Sequence, residues 1–363
     1  MTRSRQPSES TVQTPTVPTS PARVAFVGSG PGDPGLLTLR GRDLLAAADV
    51  VVLDRLARDE GVLRHVREDA QIIDAADGAE ELTHAMRAKA LVKAAKSVTS
   101  GGLVVRLMEG DPATFNGLVE EVRACRRAGI TFDIVPGVSP VSAVPTYAGV
   151  PLTSKHATSV HLVHVDASEH DYGRYTTDDC TLVLLGSSEG IRQALASLLA
   201  AGRDGAAHVV LTERGTTSTQ ASQASTLGEI DARFVGKAPA CPSIAVVSPN
   251  AAFRDEFSWF ETKPLFGWKV LVPRTQAQAG SMIDRLASYG ATADVVPTIS
   301  VEPPRTPQQM ERAIKGLVTG RYEWVGFTSV NAVRAVRERF EQFGLDARAF
   351  AGLKVAAVGG VTA

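Results

Sequence analysis

Three short stretches of this sequence combine residue types that could bind a small polar molecule and act on it. The first is Gly28-Ser-Gly-Pro-Gly-Asp-Pro34, which follows an apolar run at 24–27 and precedes residues with helical spacing. Glycines let a ligand come close to the backbone, and a helix start behind them favours anions. The second is Glu109-Gly-Asp-Pro112, behind Val104-Val-Arg-Leu107. The third is Ile134-Val-Pro-Gly-Val-Ser139, with Tyr147-Ala-Gly-Val-Pro-Leu-Thr153 after it. Taken singly, each also reads as a turn or a small-residue loop packed into a core. A dinucleotide loop rivals these readings for the first stretch, because Asp54 stands about 20 residues on, at a strand end, where a ribose-binding acid belongs. That fingerprint needs glycines at 28, 30 and 33, and position 33 is Asp33, whose carboxylate would repel a pyrophosphate.

The elements that must position these loops alternate in type. Apolar runs at 24–27, 50–53, 104–107 and 132–135 read as buried strands, and residues 35–48 and 120–127 carry helical spacing. A second block opens near Pro151, with strands at 160–165, 181–185, 208–212 and 244–247 and a helix at 191–201. It closes on an amphipathic stub at 253–260, and residues 261–267 read as a linker broken by Pro264 and Gly267. A third block begins at Trp268. Its strands lie at 270–272, 294–296, 324–328 and 355–358, and its helices at 280–289, from Gln309 and from Asn331. This alternation predicts an α/β protein with mostly parallel sheets covered by helices. The three loops then leave the carboxyl ends of strands in one domain, where open α/β sheets bind ligands.

Composition narrows the class. A chain of 363 residues is long enough for two or three domains. Its hydrophobic and charged fractions, 44% and 21%, are those of a water-soluble globular protein. A net charge of -1 gives no global field for nucleic acid or an acidic membrane. Cys125, Cys180 and Cys241 are far apart and odd in number, which argues against a disulfide framework or a zinc site and for a reducing cytoplasm. No apolar run is long enough to span a bilayer. Residues 1–23, rich in Ser, Thr and Pro, read as a disordered tail without a signal-peptide core.

The ordered set Val27-Gly-Ser-Gly-Pro-Gly-Asp-Pro-Gly-Leu-Leu-Thr-Leu39, Val51-Val-Leu-Asp-Arg-Leu56, Val104-Val-Arg-Leu-Met-Glu-Gly-Asp-Pro112, Val135-Pro-Gly-Val-Ser139 and Tyr147-Ala-Gly-Val-Pro-Leu-Thr153 resembles uroporphyrinogen-III C-methyltransferase, of the tetrapyrrole methylase family. The likeness runs on through Glu213-Arg-Gly-Thr216 to Phe260. After the linker, Trp268-Lys-Val-Leu-Val-Pro-Arg274, Phe327-Thr-Ser-Val-Asn-Ala-Val333 and Val355-Ala-Ala-Val-Gly-Gly-Val-Thr-Ala363 resemble the first part of uroporphyrinogen-III synthase. The resemblance implies a two-lobed tetrapyrrole methylase fold, with lobes at 24–150 and 151–262, followed by an incomplete synthase-like α/β region at 263–363.

It also implies a homodimer that methylates uroporphyrinogen III to precorrin-2 with S-adenosyl-L-methionine and without a metal, a nucleic acid or a membrane. Carried over residue by residue, it sets the donor against Pro31, Glu109, Gly110, Asp111, Thr114, Ser139 and Pro140. Asp54 becomes the proton acceptor, since a methylated ring must lose a proton. Gly32 and Asp33 fall on the substrate side. Arg55, Arg106 and Lys155 are candidate rim cations for a substrate rich in carboxylates; the alternative for each is an ordinary surface charge.

Several positions depart from the family pattern. Met108-Glu-Gly-Asp-Pro112 replaces Lys-Gly-Gly-Asp-Pro, Gly117 stands where the family has an arginine, and no Gly-Lys-Arg segment lies around 74–78. His164-Val-Asp166 replaces Thr-Gly-His, and a donor-contacting methionine is replaced near Leu185-Gly186. The alternative function is therefore a catalytically weak or inactive tetrapyrrole-binding scaffold. The chain as given is expected to have no synthase turnover, because the synthase-like segment supplies only the opening of one lobe and part of the next. Conversion of hydroxymethylbilane to the type III isomer above the spontaneous type I background would contradict that expectation.

Overall fold

A computed structural model of the protein describes residues 22–53, 60–75, 83–98, 101–167, 169–230, 243–273, 276–296, 306–360 and 362–363. Its first lobe is built on five parallel strands: β1 (Arg23–Gly28), β2 (Val50–Leu53), β3 (Gln71–Asp74), β4 (Leu103–Met108) and β5 (Thr131–Val135), in the order β3-β2-β4-β1-β5. Because helices cover both faces, the central strands are apolar throughout rather than alternating. Val24, Phe26, Val50, Val52 and Val104 feed one core, and Ala25, Val27, Val51, Leu53, Val105 and Leu107 the other. The helices are α1 (Leu39–Ala47), α2 (Glu60–Leu63), α3 (His84–Ser97), α4 (Leu118–Arg127) and α5 (Pro140–Tyr147).

β4 separates β1 from β2, so the dinucleotide-binding order, in which the first two strands are neighbours, is not formed. The helix expected at 35–48 starts later. Asp33 caps a separate 3₁₀ turn at Pro34–Leu36, and Thr38 then caps α1 by accepting from Gly41 N. Strand β3 and helix α3 are absent from the sequence reading. The buried stripe of α3 is mostly alanine (Ala88, Ala94 and Ala95, with Leu91), so its apolar periodicity is faint.

Arg106 corrects an expectation. It pairs in register with Phe26 and Val52, at the centre of the sheet. Its side chain is fully buried and forks onto the carboxylate of Glu121 on α4, Nε–Oε2 2.8 Å and Nη2–Oε1 3.0 Å, while Nη1 donates to the Leu107 carbonyl at 2.7 Å. It is therefore a strand-to-helix tie and not a cation on the rim of a cleft.

The second lobe holds β6 (Ser159–His164), β7 (Cys180–Gly186), α6 (Ser188–Ala200), β8 (His208–Glu213), β9 (Ala221–Thr226) and β10 (Ser243–Val247). Its sheet order is β6-β7-β10-β8-β9. Only β6 and β7 run parallel, so this sheet is mixed rather than mostly parallel. β9, Ala-Ser-Gln-Ala-Ser-Thr, carries no apolar alternation; its pairing with β8 makes it an edge strand. Val141, Val144 and Ala148, from α5 and its end, pack with Val183, Val210, Ile244 and Val246 of this sheet. The last helix before the expected lobe boundary at 150 thus belongs by packing to the second lobe. After β10 come a 3₁₀ turn at Pro249–Phe253 and α7 (Arg254–Phe257).

Contacts divide the chain into one unit that runs through Trp268 and includes Leu286–Thr292, and a second of Lys269–Arg285 and Ala293–Ala363. The later elements are β11 (Lys269–Val272), α8 (Gln276–Ser288), β12 (Thr292–Val295), α9 (Pro307–Val318), β13 (Trp324–Phe327), α10 (Val330–Gln342) and β14 (Lys354–Ala357). β13 and β14 form a parallel pair with Trp324 and Val355 well exposed. The tail expected over 1–23 lies outside the described residues apart from Ala22 and Arg23. Among the described residues no helix is long and apolar enough to cross a membrane.

The Arg106–Glu121 pair yields a stability prediction. Glu121→Ala strands a guanidinium in the core and should cost about 3–5 kcal/mol. Arg106→Met combined with Glu121→Leu should recover most of that loss. Urea unfolding followed by circular dichroism measures both, and a single variant within 1 kcal/mol of wild type, as an approximate threshold, contradicts the assignment.

Candidate functional site

The three loops singled out from sequence meet at one point, and they meet through glycine backbone. A Cβ on Gly28 would lie 2.6 Å from Gly137 Cα and would press on the Gly110 carbonyl oxygen. A Cβ on Gly137 would lie 2.8 Å from Gly28 Cα and strike the same carbonyl. Gly110 has φ +61°, and Pro140 closes over it. Gly30 and Gly110 exchange backbone hydrogen bonds, at 3.3 and 2.8 Å, which staples the first loop to the second.

Asp111 fastens the third loop to the second. Its Oδ2 accepts from Gly137 N at 3.0 Å, and its Oδ1 accepts from Ala113 N at 2.9 Å and from the Thr114 hydroxyl at 3.4 Å. Asn116 donates to the carbonyls of Glu109, Asp111 and Thr114, holding the second loop in shape. The carboxylate of Asp111 is thus committed to the junction itself. Ser139 is the N-cap residue of α5, with Pro140 at the first helical position. Its hydroxyl makes no capping bond, and its Oγ is buried without a hydrogen-bond partner. Pro31 is buried beside Gly30.

α5 carries this junction into the second lobe. At its far end the Tyr147 hydroxyl donates to Asp33 Oδ2 at 2.7 Å, while Asp33 Oδ1 accepts from Gly35 N at 2.8 Å. Burial, with the Asp33 carboxylate beside it, pushes the Tyr147 phenol well above its ordinary range, so it stays a donor. Asp33 N donates to Thr216 Oγ1 at 3.0 Å, and Gln220 joins Thr216 N, the Tyr147 carbonyl and Glu261. Gly32 is pressed against the same Thr216 and Thr217. Gly32 and Asp33 of the first lobe therefore meet Gly215, Thr216 and Thr217 of the second. From sequence, Glu213-Arg-Gly-Thr216 stands only as a family likeness; nothing in it marks Tyr147 and Thr216 as partners of Asp33, or Gln220 as the link between them.

Backbone strain gathers here too. The described non-glycine residues with positive φ are Phe115 (+60°), Arg214 (+49°) and Thr216 (+63°), all in these loops. Phe115 is half exposed, and its ring stands 5.5 Å from that of His164, at the end of β6. His164 Nδ1 is buried without a partner. Gly117, where the family has an arginine, has φ +71° and abuts the exposed His84 ring, which a side chain there would have to displace. Asp166, in the changed Thr-Gly-His stretch, accepts from Ser187 N at 2.6 Å and from Ser187 Oγ at 2.7 Å at the start of α6. Lys155 is exposed, with no ion pair among the described residues. Asp54 and Arg55 lie outside the described residues.

Comparison with known proteins accords with this geometry. Residues 23–231 match the model of the Tetrapyrrole (Corrin/Porphyrin) Methylases, and residues 280–363 that of Uroporphyrinogen-III synthase HemD. The chain is 32% identical over 348 residues to the porphyrin biosynthesis protein HemD of Ruminiclostridium josui, covering 94% of this chain and 68% of that one. It is 31% identical over 322 residues to the uroporphyrinogen-III C-methyltransferase of Bacillus subtilis, covering 85% and 64%. Siroheme synthase 2 of Aeromonas hydrophila is 36% identical over 247 residues, and the chain spans about half of its length. Among solved structures, uroporphyrin-III C-methyltransferase of Thermus thermophilus complexed with S-adenosylhomocysteine is 29% identical, with a TM-score of 0.53; the match covers 63% of this chain and 99% of that one.

The junction leaves no space for a methyl group at its glycines. Gly137→Ala must displace backbone and should cost at least 1–3 kcal/mol as an order of magnitude. Differential scanning calorimetry checks this, and an unchanged Tm would contradict the close approach.

Proposed function

This chain belongs to the tetrapyrrole (corrin/porphyrin) methylase family, and we propose that residues 24–262 transfer methyl groups from S-adenosylmethionine to two carbons of uroporphyrinogen III. The product would be precorrin-2, with a synthase-like region attached at 263–363. The observation that carries this reading is the glycine junction with the unpartnered buried hydroxyl of Ser139 in it. A buried hydroxyl without a partner is costly unless a ligand atom completes it. The surfaces beside it are backbone and proline, which suit a ligand held largely through main-chain contacts.

These residues fit the donor. Pro31, Glu109, Gly110, Asp111, Thr114, Ser139 and Pro140 would hold it, with Asp111 acting through the loops that it fastens. When bound, the donor supplies an electrophilic methyl group whose leaving group is already in place. The protein's own work is positioning, done by the stapled loops and by α5. Asp54, on the sequence likeness alone, would accept the proton that the methylated ring must lose. Lys155 and Arg55 would meet substrate carboxylates. Gly32 and Asp33 would face the substrate at the seam that Thr216 and Tyr147 close. The family likeness supports a homodimer, and the free, buried Cys125 and Cys180 support a cytoplasmic setting.

Titration calorimetry with S-adenosylhomocysteine in the presence of a chelator tests the donor site. Saturable binding is expected, and no heat at high ligand concentration leaves only the tetrapyrrole-holding scaffold. Asp54→Asn should lower kcat by roughly 100-fold or more while leaving Kd for S-adenosylhomocysteine unchanged. Equal turnover in variant and wild type removes Asp54 from the chemistry.

A further inference from the structure

A second feature of the first lobe lies apart from the three loops. Helices α3 and α4 pack side by side on the sheet, and between them runs an open groove of about 800 Å³. That volume is within the range of small-molecule sites, about 300–1,000 Å³. The groove is floored by apolar atoms of Ala88, Val92, Ala124 and Ala128. Along its rim stand Lys89, Lys93 and Lys96 of α3 and Arg123 and Arg127 of α4, against the single acid Glu120. All five cations are exposed, and none of them has an ion pair or side-chain hydrogen bond among the described residues.

This is unusual in a chain whose net charge is -1. Lys89, Lys93 and Lys96 recur at helical spacing on one face, as do Arg123 and Arg127, so like charges stack on both walls and repel. The carbonyl end of a helix rewards a cation only within its last turn. That accounts for Lys96 and Arg127 but not for Lys89, Lys93 and Arg123. A surface shaped for solubility alone would intersperse the two signs.

We propose that this groove is a second, non-catalytic binding site for a polycarboxylate tetrapyrrole. The apolar floor matches the face of a pyrrole macrocycle, and the cationic walls match its carboxylate arms. The site holds substrate or product on the outside of the first lobe, away from the methyl donor. The identity of the ligand rests on the proposed function; the existence of a carboxylate site does not. The chain's own first 21 residues are a poor occupant, since their charged side chains are two arginines, Arg3 and Arg5, against a single acid, Glu9.

The test uses the full chain saturated with S-adenosylhomocysteine and titrated with uroporphyrin III, an octacarboxylate, followed by fluorescence quenching. Wild type should bind two equivalents, one of them weakened at least tenfold between 50 and 300 mM salt, as approximate bounds for a multiply charged contact. Lys93→Glu combined with Arg123→Glu should bind one equivalent, with methyl transfer at saturating substrate within about twofold of wild type. Lys89→Ala combined with Lys93→Ala should weaken the second equivalent without reversing charge, which guards against misfolding of the first variant. One equivalent in wild type, or two persisting in the charge-reversed chain, overturns the proposal. So does equally tight, competing binding of a heparin oligosaccharide, which marks a general anion patch, or a concentration-dependent dimer lost on charge reversal, which marks a contact between copies. Failure of methyl transfer with a salt-sensitive equivalent still lost on charge reversal would instead refute the proposed function and leave the groove standing.

Discussion

The site depends on three backbone segments approaching closer than any side chain would allow. Gly28, Gly110 and Gly137 come from the ends of β1, β4 and β5, which are adjacent strands of one parallel sheet. Strand register brings those ends level, and the missing Cβ atoms let the loops close on one another. Once they have closed, Asp111 can reach Gly137 N, and Pro140 can cover Gly110. The proximity of the loops is therefore a property of sheet order as much as of the loops' own residues.

The same junction launches α5, which changes lobes. Ser139 and Pro140 start it at the glycine contact, its body is buried on the second sheet, and Tyr147 at its end returns a hydrogen bond to Asp33. One eight-residue helix thus couples the loop cluster to the packing of the second core. In the first lobe, the buried Arg106–Glu121 pair ties the central strand to α4, and only removal of both charges together would spare the core a stranded ion. Strain at Phe115, Arg214 and Thr216 is sustained because neighbours over-determine those turns, as at sites shaped for a ligand.

Much of this was legible in the sequence. The buried parallel strands announce themselves as unbroken apolar runs, and the glycine-rich turns mark where those runs end. Other features were not legible, for physical reasons. α3 packs through alanines, whose small side chains give little periodic contrast. α5 contains Pro140 and Pro145, which read as breakers, although Ser139 before Pro140 is a helix-start signal. β9 is a polar edge strand defined by its partner rather than by its composition. Arg106 reads as a rim cation from sequence because its counter-charge, Glu121, is 15 residues away in the chain and stands beside it only once α4 is laid on the sheet. Asp33 reads from sequence as an obstacle to a phosphate, whereas the fold makes it a hub between Tyr147 and Thr216.

The role proposed for the loop junction is methyl transfer to a tetrapyrrole. The most direct measurement is anaerobic incubation of the full chain with uroporphyrinogen III and S-adenosylmethionine, followed by mass spectrometry and absorbance of the product. A product carrying two added methyl groups, formed in step with S-adenosylhomocysteine, is expected. Recovery of unmethylated uroporphyrinogen III, from protein shown to bind the donor, would contradict it.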